Sequence, residues 1–318
     1  MDDQLLRDYR LMLLIRRFEE HLNAVYGTGA VRGTSHFCAG QEAAEVGAVA
    51  ALRPDDLITS NHRGHGHFLA KGADPKRVLA ELCGKQTGYS RGRGGSQHMA
   101  DLSIGFLGSH GITAGMIPVA TGAALSQQML KTGRIVVSFF GDGATGQGAF
   151  HEAVNIGAAW RLPIVYFCEN NLYAMSTPLG EAFGEPRIAA RAAAYGIPGV
   201  VADGQDYFAV RQVTEEAAER ARRGGGPTLI EAQTYRIYGH SKSDACEYRT
   251  REEEACWAAR DPICLMRDAL IARGLLGEES DRGLRAAVEA EMAEAVRFAE
   301  ESPEPSPDDV AEGVFVDF

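Results

Sequence analysis

A carboxylate and an amide that each follow an apolar segment are the residues of this chain with the clearest chemistry. Asp142 lies in a glycine-flanked turn directly after residues 134–140, and Asn171 comes soon after the next apolar segment, 164–168. Oxygen ligands of these two kinds bind Mg²⁺, which also keeps positions open for the oxygens of a phosphate. The pattern therefore predicts a divalent metal ion between two strand ends, with a diphosphate on its open side.

The surrounding sequence predicts a strand, a helix and a second strand that would position these residues. Residues 134–140 and 164–168 are rich in β-branched and aromatic side chains, as buried strands are. Residues 149–160 between them have apolar side chains at helical spacing. Because such a unit forms a right-handed parallel crossover, both loops should emerge at the carboxyl end of the sheet, where ligands bind.

The same turn also fits a second hypothesis. Residues 141–146 read G-D-G-A-T-G, which matches the G-x-G-x-x-G fingerprint of dinucleotide-binding proteins, and Glu169 could then bind a ribose. Asp142, however, would bring a carboxylate to the place that a pyrophosphate approaches, and two anions repel unless a cation lies between them. The pattern alone leaves three interpretations open: a metal–diphosphate site, a dinucleotide site, and a glycine turn with a capping asparagine.

Helices and strands alternate along the whole chain, which is typical of an α/β fold with a mostly parallel sheet and helices on both faces. Further strands are expected at 200–202 and 228–232, and further helices at 3–25, 40–52, 75–90, 118–131, 206–223 and 281–301. Residues 91–118 form a long, glycine-rich irregular region, and such regions are usually functional. We expect three parts: an N-terminal helical arm (1–30), a diphosphate- and metal-binding α/β domain (31–260), and a C-terminal helical region (261–318) with a poorly ordered stretch at 302–307.

Composition and charge disfavour several classes of partner. The 318 residues are 45% hydrophobic, which is ample for a core, and the net charge of −11 disfavours nucleic acid and anionic membranes. No apolar run approaches the roughly 18 residues that a transmembrane helix needs. The six cysteines include no C-x-x-C pair, and the chain starts without features of a signal or transit peptide. We therefore expect reduced thiols and a cytoplasmic location.

Two further loops carry arginine and histidine. Residues 60–67 read S-N-H-R-G-H-G-H, which fits a phosphate- and carbonyl-binding loop, a zinc site or a solvated polar loop. Arg63 would supply bidentate contacts to phosphate oxygens. Residues 235–241 follow a predicted strand and contain Arg236 and His240. Both loops are therefore expected at the same end of the sheet.

Several segments together give the chain a resemblance to a known family. They are residues 35–43, 62–66, 94–99, 141–143, 168–173 and 235–244, and the resemblance extends over roughly residues 8–300. The chain resembles the α subunit of the thiamine-diphosphate-dependent E1 component of 2-oxoacid and acetoin dehydrogenase complexes. It is nearer to the acetoin type, because pyruvate dehydrogenase α chains usually have a tyrosine in place of His62. The resemblance implies the diphosphate-binding type of the thiamine-diphosphate-binding fold.

The resemblance also implies cofactors and a role for each matching residue. Thiamine diphosphate and Mg²⁺ would be the cofactors. The metal ligands would lie at the ends of the two strands: Asp142, Asn171 through its side chain, and Tyr173 through its backbone carbonyl. The residues in contact with the cofactor would be Arg63, Gly111, Thr113, Asp142, Gly143, Ala144, Asn171, Arg236 and His240. The catalytic residues on the substrate side would be His36, His62 and His240.

The implied reaction cleaves a C–C bond next to a carbonyl, either by decarboxylation of a 2-oxoacid or by cleavage of acetoin. The acyl or aldehyde unit would pass to a lipoyl group on an E2 protein. In this family a β subunit supplies the glutamate that activates the cofactor, so we expect an α2β2 heterotetramer. The helices at 40–52 and 118–131 would be either interface elements or ordinary core elements. Two alternative functions stay open: a free-standing two-chain acyltransferase or ligase without an E2, and a nicotinamide-dependent oxidoreductase.

Overall fold

The computed structural model describes residues 2–31 and 33–312, and a six-stranded parallel sheet lies at its centre. The strands in chain order are β1 (Leu57–Thr59), β2 (Phe106–Gly108), β3 (Val136–Gly141), β4 (Ile164–Asn170), β5 (Tyr173–Ala174), β6 (Thr177–Pro178), β7 (Gly199–Asp203) and β8 (Thr228–Gln233). The sheet has the order β2-β1-β3-β4-β8-β7 with parallel pairing throughout, while β5 and β6 form a separate antiparallel pair. The predicted α/β class with a parallel sheet is confirmed.

The helices fill the connections between these strands. In chain order they are α1 (Asp2–Gly27), α2 (Glu42–Ala50), α3 (His65–Ala70), α4 (Pro75–Leu82), α5 (Met116–Leu130), α6 (Gly148–Ala159), α7 (Leu179–Ala182), α8 (Tyr207–Arg222), α9 (Arg251–Ala258), α10 (Pro262–Ala272) and α11 (Glu278–Glu301). Among the described residues, no helix is both long and apolar enough to cross a membrane.

The two faces of the sheet carry two separate apolar cores. Because successive side chains of a strand point to opposite faces, Val137 and Phe139 of β3 enter one core and Val136 and Phe140 enter the other. The first core also contains side chains of α1, α2, α4, α8, α10 and α11. The second contains side chains of α5 and α6. Helices therefore cover both faces, as the sequence predicted.

The helix predicted at 75–90 is shorter than expected. It ends at Leu82, and the chain then turns so that the Lys85 N–H donates to the carbonyl of Ala80 at 2.8 Å. The buried carboxylate of Glu81 accepts N–H bonds from the backbone of residues 90, 92, 94 and 95, at 2.7–3.1 Å. This one carboxylate holds the chain in a defined path where the helical pattern had suggested about two more turns.

Several short elements of the structure were not predicted from the sequence. Residues 91–118, expected to be irregular, include β2, two 3₁₀ turns and the start of α5. The histidine loop expected at 60–67 is preceded by β1 and runs into α3. These elements are three to six residues long, too short to produce a readable periodicity.

The stretch at 302–307 makes contacts with the turn after α4, and its predicted poor order stays a prediction. Ser302 and Thr87 share a hydroxyl hydrogen bond of 2.7 Å, and Lys85 pairs with Glu304 at 2.7 Å. These contacts fasten the segment to the turn after α4. Because α1, α10 and α11 share a core with α2 and α4, the three-part division of the chain stays a prediction.

Candidate active site

A cavity of about 230 Å³ lies at the carboxyl ends of β1, β3, β4 and β8. Strands β1 and β3 are neighbours, and the chain continues from β1 to β2 on one side and from β3 to β4 on the other. Open α/β sheets bind ligands where the direction of the connections reverses in this way. Its lining includes ten of the predicted site residues: His62, Arg63, Thr113, Asp142, Gly143, Ala144, Asn171, Tyr173, Arg236 and His240. The other two, Gly111 and His36, are not part of the lining. His36 nevertheless touches the cavity histidines, whereas Gly111 lies against Gln97.

Asp142 and Asn171 lie together at the base of the cavity. Both are buried, and the backbone N–H of Asn171 approaches Oδ1 of Asp142 at 3.4 Å. Oδ2 of Asp142 and Oδ1 of Asn171 have no hydrogen-bond partner. Buried polar atoms are nearly always paired, so two such oxygens on one cavity are suited to a cation. Burial raises the pKa of Asp142 to about 6, although Arg236 opposes this shift.

Gln41 orients the amide of Asn171. The fully buried Gln41 accepts a hydrogen bond from Nδ2 of Asn171 at 3.2 Å, which leaves the amide oxygen unpaired. The preceding Asn170 holds the turn itself, since its Oδ1 accepts the N–H of Leu172 at 3.0 Å. The role of Gln41 was not predicted from the sequence. The feature that could have indicated it is a polar amide at the start of a helix composed mainly of small and apolar residues.

The chain after this turn also reaches the cavity. Tyr173 is paired in register with Pro178, a residue that has no N–H to donate. Gly143 allows this segment to approach, because a Cβ at that position would lie 3.0 Å from the Cβ of Ala174. Tyr173 lines the same cavity as Asp142 and Asn171.

Two buried arginines give the cavity a positive wall. Arg63 donates to the carbonyl oxygens of Phe37 and of His240, the latter at 3.0 Å. Arg236 contacts Nδ1 of His240 and the carbonyl of Met175, each at 3.1 Å. Burial, and the charge of Arg236, lower the pKa of Arg63 to about 9, and burial also lowers the pKa of Arg236. Neither guanidinium forms an ion pair within the part of the chain that the structure describes. Two buried arginines without carboxylate partners are suited to bind a diphosphate.

Three histidines from separate loops meet at the same wall. The ring centroid of His36 lies 4.6 Å from that of His62 and 4.9 Å from that of His240. Burial and the charge of Arg63 lower the pKa values to about 3 for His36, 2 for His62 and 4 for His240. All three imidazoles are therefore neutral near pH 7, and each can donate or accept one hydrogen bond. Gln97, which the sequence analysis gave no role, donates to Nδ1 of His36 at 3.2 Å.

The zinc site considered for residues 60–67 is not formed. His62 lines the cavity, whereas His65 binds Glu19 at 2.7 Å and His67 binds Ser60 at 2.9 Å. The three imidazoles do not form a metal-ligating group among the described residues. Because α3 starts at His65, its helical turns carry the last two histidines away from the first.

The glycine turn differs from a dinucleotide-binding turn. In that motif the glycines lead directly into a helix whose N-terminus faces the pyrophosphate. Here residues 142–146 form a 3₁₀ turn, and the extended residue Gln147 separates it from α6. Gly143 accommodates Ala174 of the neighbouring segment. The glycine therefore permits the close approach of another protein segment, and not that of a pyrophosphate as in the dinucleotide-binding motif.

Oxygens without partners and arginines without ion pairs thus lie together at the carboxyl edge of an open parallel sheet, within the residues that the structure describes. The comparisons with known proteins identify the family. The chain matches the family model described as dehydrogenase E1 component over residues 9–308.

Relatives cover nearly the whole chain. It is 45% identical over 311 residues to the alpha subunit of acetoin:2,6-dichlorophenolindophenol oxidoreductase from Bacillus subtilis, covering 98% of this chain and 93% of the relative. The corresponding subunit from Cupriavidus necator is 41% identical over 317 residues, with 99% and 95% coverage. The pyruvate dehydrogenase E1 component subunit alpha of Porphyra purpurea is 42% identical over 316 residues, with 97% and 92% coverage.

The chain belongs to the dehydrogenase E1 component family, and its relatives are alpha subunits. The family implies thiamine diphosphate as the cofactor, which confirms the predicted class of a thiamine-diphosphate-dependent E1 alpha subunit. The comparisons do not support the nicotinamide alternative.

Proposed function

We propose that the cavity binds thiamine diphosphate through Mg²⁺, and that the chain acts with a β subunit on acetoin or a 2-oxoacid. The observation that supports this most is the pairing of two unpartnered buried oxygens with two unpaired buried arginines in one cavity. A metal ion and a diphosphate together satisfy both groups, whereas either alone leaves one of them uncompensated. The family relationship supports the identity of the diphosphate.

The metal ligands from this chain would be Oδ2 of Asp142, Oδ1 of Asn171 and the carbonyl of Tyr173. All three are oxygens, which suits Mg²⁺, and the remaining positions are then available to phosphate oxygens and water. Gln41 keeps the Asn171 oxygen in place. Because burial raises the pKa of Asp142 to about 6, its carboxylate is mostly ionised near pH 7 and available to a metal ion, whereas below about pH 6 metal binding would have to displace its proton.

Arg63 and Arg236 would bind the diphosphate oxygens, and the N–H groups of Gly143 and Ala144 would add backbone contacts. His240 links the two arginines, since its carbonyl accepts from Arg63 and its ring contacts Arg236. Thr113, at the cavity wall, would present backbone groups to the aminopyrimidine ring. Gly111 would do so only if its segment shifts, because it lies outside the lining.

Thiamine diphosphate supplies, when bound, the chemistry that breaks a C–C bond next to a carbonyl. The task of this chain is to hold the diphosphate, exclude water and provide hydrogen bonds to the substrate. His36, His62 and His240 would supply those bonds as neutral imidazoles. Being neutral near pH 7, they can donate to a carbonyl oxygen without adding charge to a wall that already holds two arginines.

The β subunit would close the cavity and bring the glutamate that the family implies. Apolar side chains stand exposed near its rim, with Ile112, Met175 and Ile237 exposed by 66%, 62% and 47%. Such residues suit a protein interface. Helix α2 cannot take part in it, because its residues from Glu42 to Ala48 are buried, whereas α5 exposes Val119 and Met129. An α2β2 assembly, a lipoyl-bearing E2 partner and a cytoplasmic location stay predictions.

Calorimetric titration of thiamine diphosphate into the full chain with its β subunit tests the proposal. We expect binding with Mg²⁺ and none with a chelator, and no binding of NAD. Asp142→Ala should abolish the Mg²⁺-dependent binding. Asp268→Ala is the matched control, since it removes the same charge at an exposed position outside the cavity.

Retention of Mg²⁺-dependent affinity in the Asp142→Ala protein would contradict the proposed metal ligand. Comparison of acetoin with pyruvate as substrate then identifies the substrate class. Activity with and without a lipoyl domain separates an E1 component from a free-standing acyltransferase or ligase.

A further inference from the structure

A second group of buried ionisable side chains lies beside the cavity. It consists of Glu45 on α2, His67 on α3 and Glu169 on β4, each at most 1% exposed. One potential ligand atom from each lies within 4.8 Å of those of the other two. The proposed function uses none of the three, although Glu169 also lines the cavity.

The atoms of this group that face one another have no hydrogen-bond partners. They are both carboxylate oxygens of Glu45, both of Glu169, and Nε2 of His67. Nε2 of His67 lies 3.3 Å from Oε1 of Glu169, while its Nδ1 is hydrogen bonded to Ser60 at 2.9 Å. When Nδ1 carries the proton and donates to Ser60, Nε2 presents a lone pair to the carboxylate. A lone pair and a carboxylate at this distance repel each other unless a positive centre lies between them.

The surroundings fix the three side chains where they are. The ring of His67 is stacked on Phe139, with centroids 4.0 Å apart and an angle of 29° between the planes. A Cβ at Gly66 would lie 1.7 Å from Oε2 of Glu45, so only glycine at that position leaves space for this carboxylate. The group is therefore a built arrangement in which two helices and a strand each contribute one ligand-type side chain.

Several carboxylates surround this group. Burial, followed by the nearby carboxylates of Glu169, Glu42 and Glu19, raises the pKa of Glu45 well above its usual range. Arg63 is the cation whose charge reaches Glu169, and it forms no ion pair with it within the described residues. A divalent ion with two carboxylates and a neutral imidazole would be neutral as a unit, which is the favourable state for a buried site.

We propose that Glu45, His67 and Glu169 form a second divalent-metal site, separate from the Asp142–Asn171 site, for an ion of the zinc, manganese or iron class. An imidazole nitrogen with two carboxylates suits these ions, whereas Mg²⁺ prefers ligand sets made of oxygen. Ser60 holds the orientation of the imidazole through Nδ1, as hydrogen-bond partners of metal-bound histidines do. The ion would enter from the cavity past Glu169 and join α2, α3 and β4 beneath it.

Cobalt binding by the full chain with its β subunit tests this site, because Co²⁺ replaces zinc and has visible absorption that reports imidazole and carboxylate ligands. The protein is first treated with a chelator. The titration is done on the wild type and on Asp142→Ala, which lacks the proposed ligand of the cofactor metal. We expect Asp142→Ala to keep one tightly bound Co²⁺ per chain and to lack binding of thiamine diphosphate.

The double variant Asp142→Ala/Glu45→Gln should then bind Co²⁺ at least about tenfold more weakly, since the substitution keeps the size of the side chain and removes one ligand charge. Its circular dichroism and melting temperature without metal show whether it folds, and Co²⁺ should raise the melting temperature of Asp142→Ala but not of the double variant. Absence of Co²⁺ from Asp142→Ala would overturn the proposal whether or not the double variant folds. Equal Co²⁺ affinity in the two variants would also overturn it. A carboxyl pair that shares a proton would then explain the group.

Discussion

Arg16 has only 13% of its side chain exposed and Arg63 is buried, yet the surroundings of the two arginines are opposite. Arg16 pairs with Glu42 at 2.6 Å and with Asp261 at 2.7 Å, and these two carboxylates raise its pKa against the effect of burial. The guanidinium of Arg63 donates to two backbone carbonyls and forms no ion pair with any described residue, and burial lowers its pKa to about 9. The first arrangement is complete within the chain, whereas the second leaves a charge that a ligand can neutralise.

The same difference separates the two regions as a whole. In the cluster of Arg16, Glu42 and Asp261, Glu42 also accepts the backbone N–H of Gly40 at 3.0 Å, so its oxygens are fully used. Around the cavity, Asp142 and Asn171 each keep an unpartnered oxygen. A buried polar group with partners stabilises the fold, and one without them costs stability and indicates where a ligand binds.

The largest expected effect comes from comparing Arg16→Met with Arg63→Met. Arg16→Met leaves the buried Glu42 without its cation, so we expect a loss of about 3–5 kcal/mol in the free energy of unfolding. Arg63→Met removes a buried charge that has no carboxylate partner. It should leave the free energy of unfolding unchanged or raise it, while it weakens the binding of thiamine diphosphate. Chemical denaturation and calorimetry measure the two quantities.

Arg267→Met provides the control, because Arg267 pairs with Asp268 at an exposed position and should change stability by less than about 0.5 kcal/mol. If Arg63→Met destabilises the fold as much as Arg16→Met, the two regions do not differ in the way described.

A smaller effect is expected for Gln41→Met, which removes the acceptor of the Asn171 amide. The metal-binding oxygen then loses its fixed orientation, and Mg²⁺-dependent affinity for thiamine diphosphate should fall about 10- to 100-fold. The matched control is Gln205→Met. Gln205 is also a buried glutamine, but its amide contacts Thr234 and the carbonyl of Arg260 away from the cavity. An equal loss of affinity in both variants would show that Gln41 acts through general stability.

The sequence predicted best those site residues that follow a strand in a polar loop. Asp142, Asn171 and Arg236 each come after an apolar segment that ends abruptly, so their position at the sheet edge could be inferred from chain order alone. Gln41 and Glu45 could not be found in this way. They lie in a helix of small residues, where only the folded packing of α2 against its neighbours shows which side chains face the cavity region.

The histidines illustrate the same limit. Residues 60–67 look like one polar loop in the sequence, yet the six-residue helix α3 sends His65 and His67 in other directions from His62. A helix this short has less than two turns, and its direction depends on tertiary contacts.

Acidification should weaken the fold through the cavity histidines. Their folded pKa values, about 3 for His36, 2 for His62 and 4 for His240, lie below the unfolded value of about 6.5. As pH falls from about 6.5 toward 4, the unfolded chain takes up protons that the folded chain does not. Each histidine then lowers the free energy of unfolding by at most about 1.4 kcal/mol per pH unit. Chemical denaturation between pH 7 and 5 measures the slope.

Asp142 contributes with the opposite sign, because its pKa of about 6 lies above the unfolded value and the folded state binds its proton first as pH falls. Asp142→Ala should therefore steepen the loss of stability on acidification, and His62→Asn should reduce it. A slope that is the same in all three proteins would show that the cavity groups do not titrate as described.

The smallest effect is expected at Thr250, which tests where the cavity region ends. The pattern T-x-x-E at 250–253 predicts a capping box, but only half of it forms. Thr250 accepts the N–H of Glu253 at 3.1 Å, while the Glu253 carboxylate binds the hydroxyls of Tyr173 and Tyr235 at 2.7 Å each.

Thr250→Ala should cost about 1 kcal/mol in the free energy of unfolding through loss of the N-cap. Its affinity for thiamine diphosphate should stay within about twofold, because the tyrosines keep Glu253 in place from the other side. Thr250→Ser, which keeps the capping oxygen, should restore the stability. A tenfold loss of affinity in Thr250→Ala that the serine reverses would mean that the start of α9 positions the Tyr173 carbonyl. The region sensitive to ligand binding would then extend from the unpaired oxygens of the cavity into a part of the molecule whose polar groups are already paired.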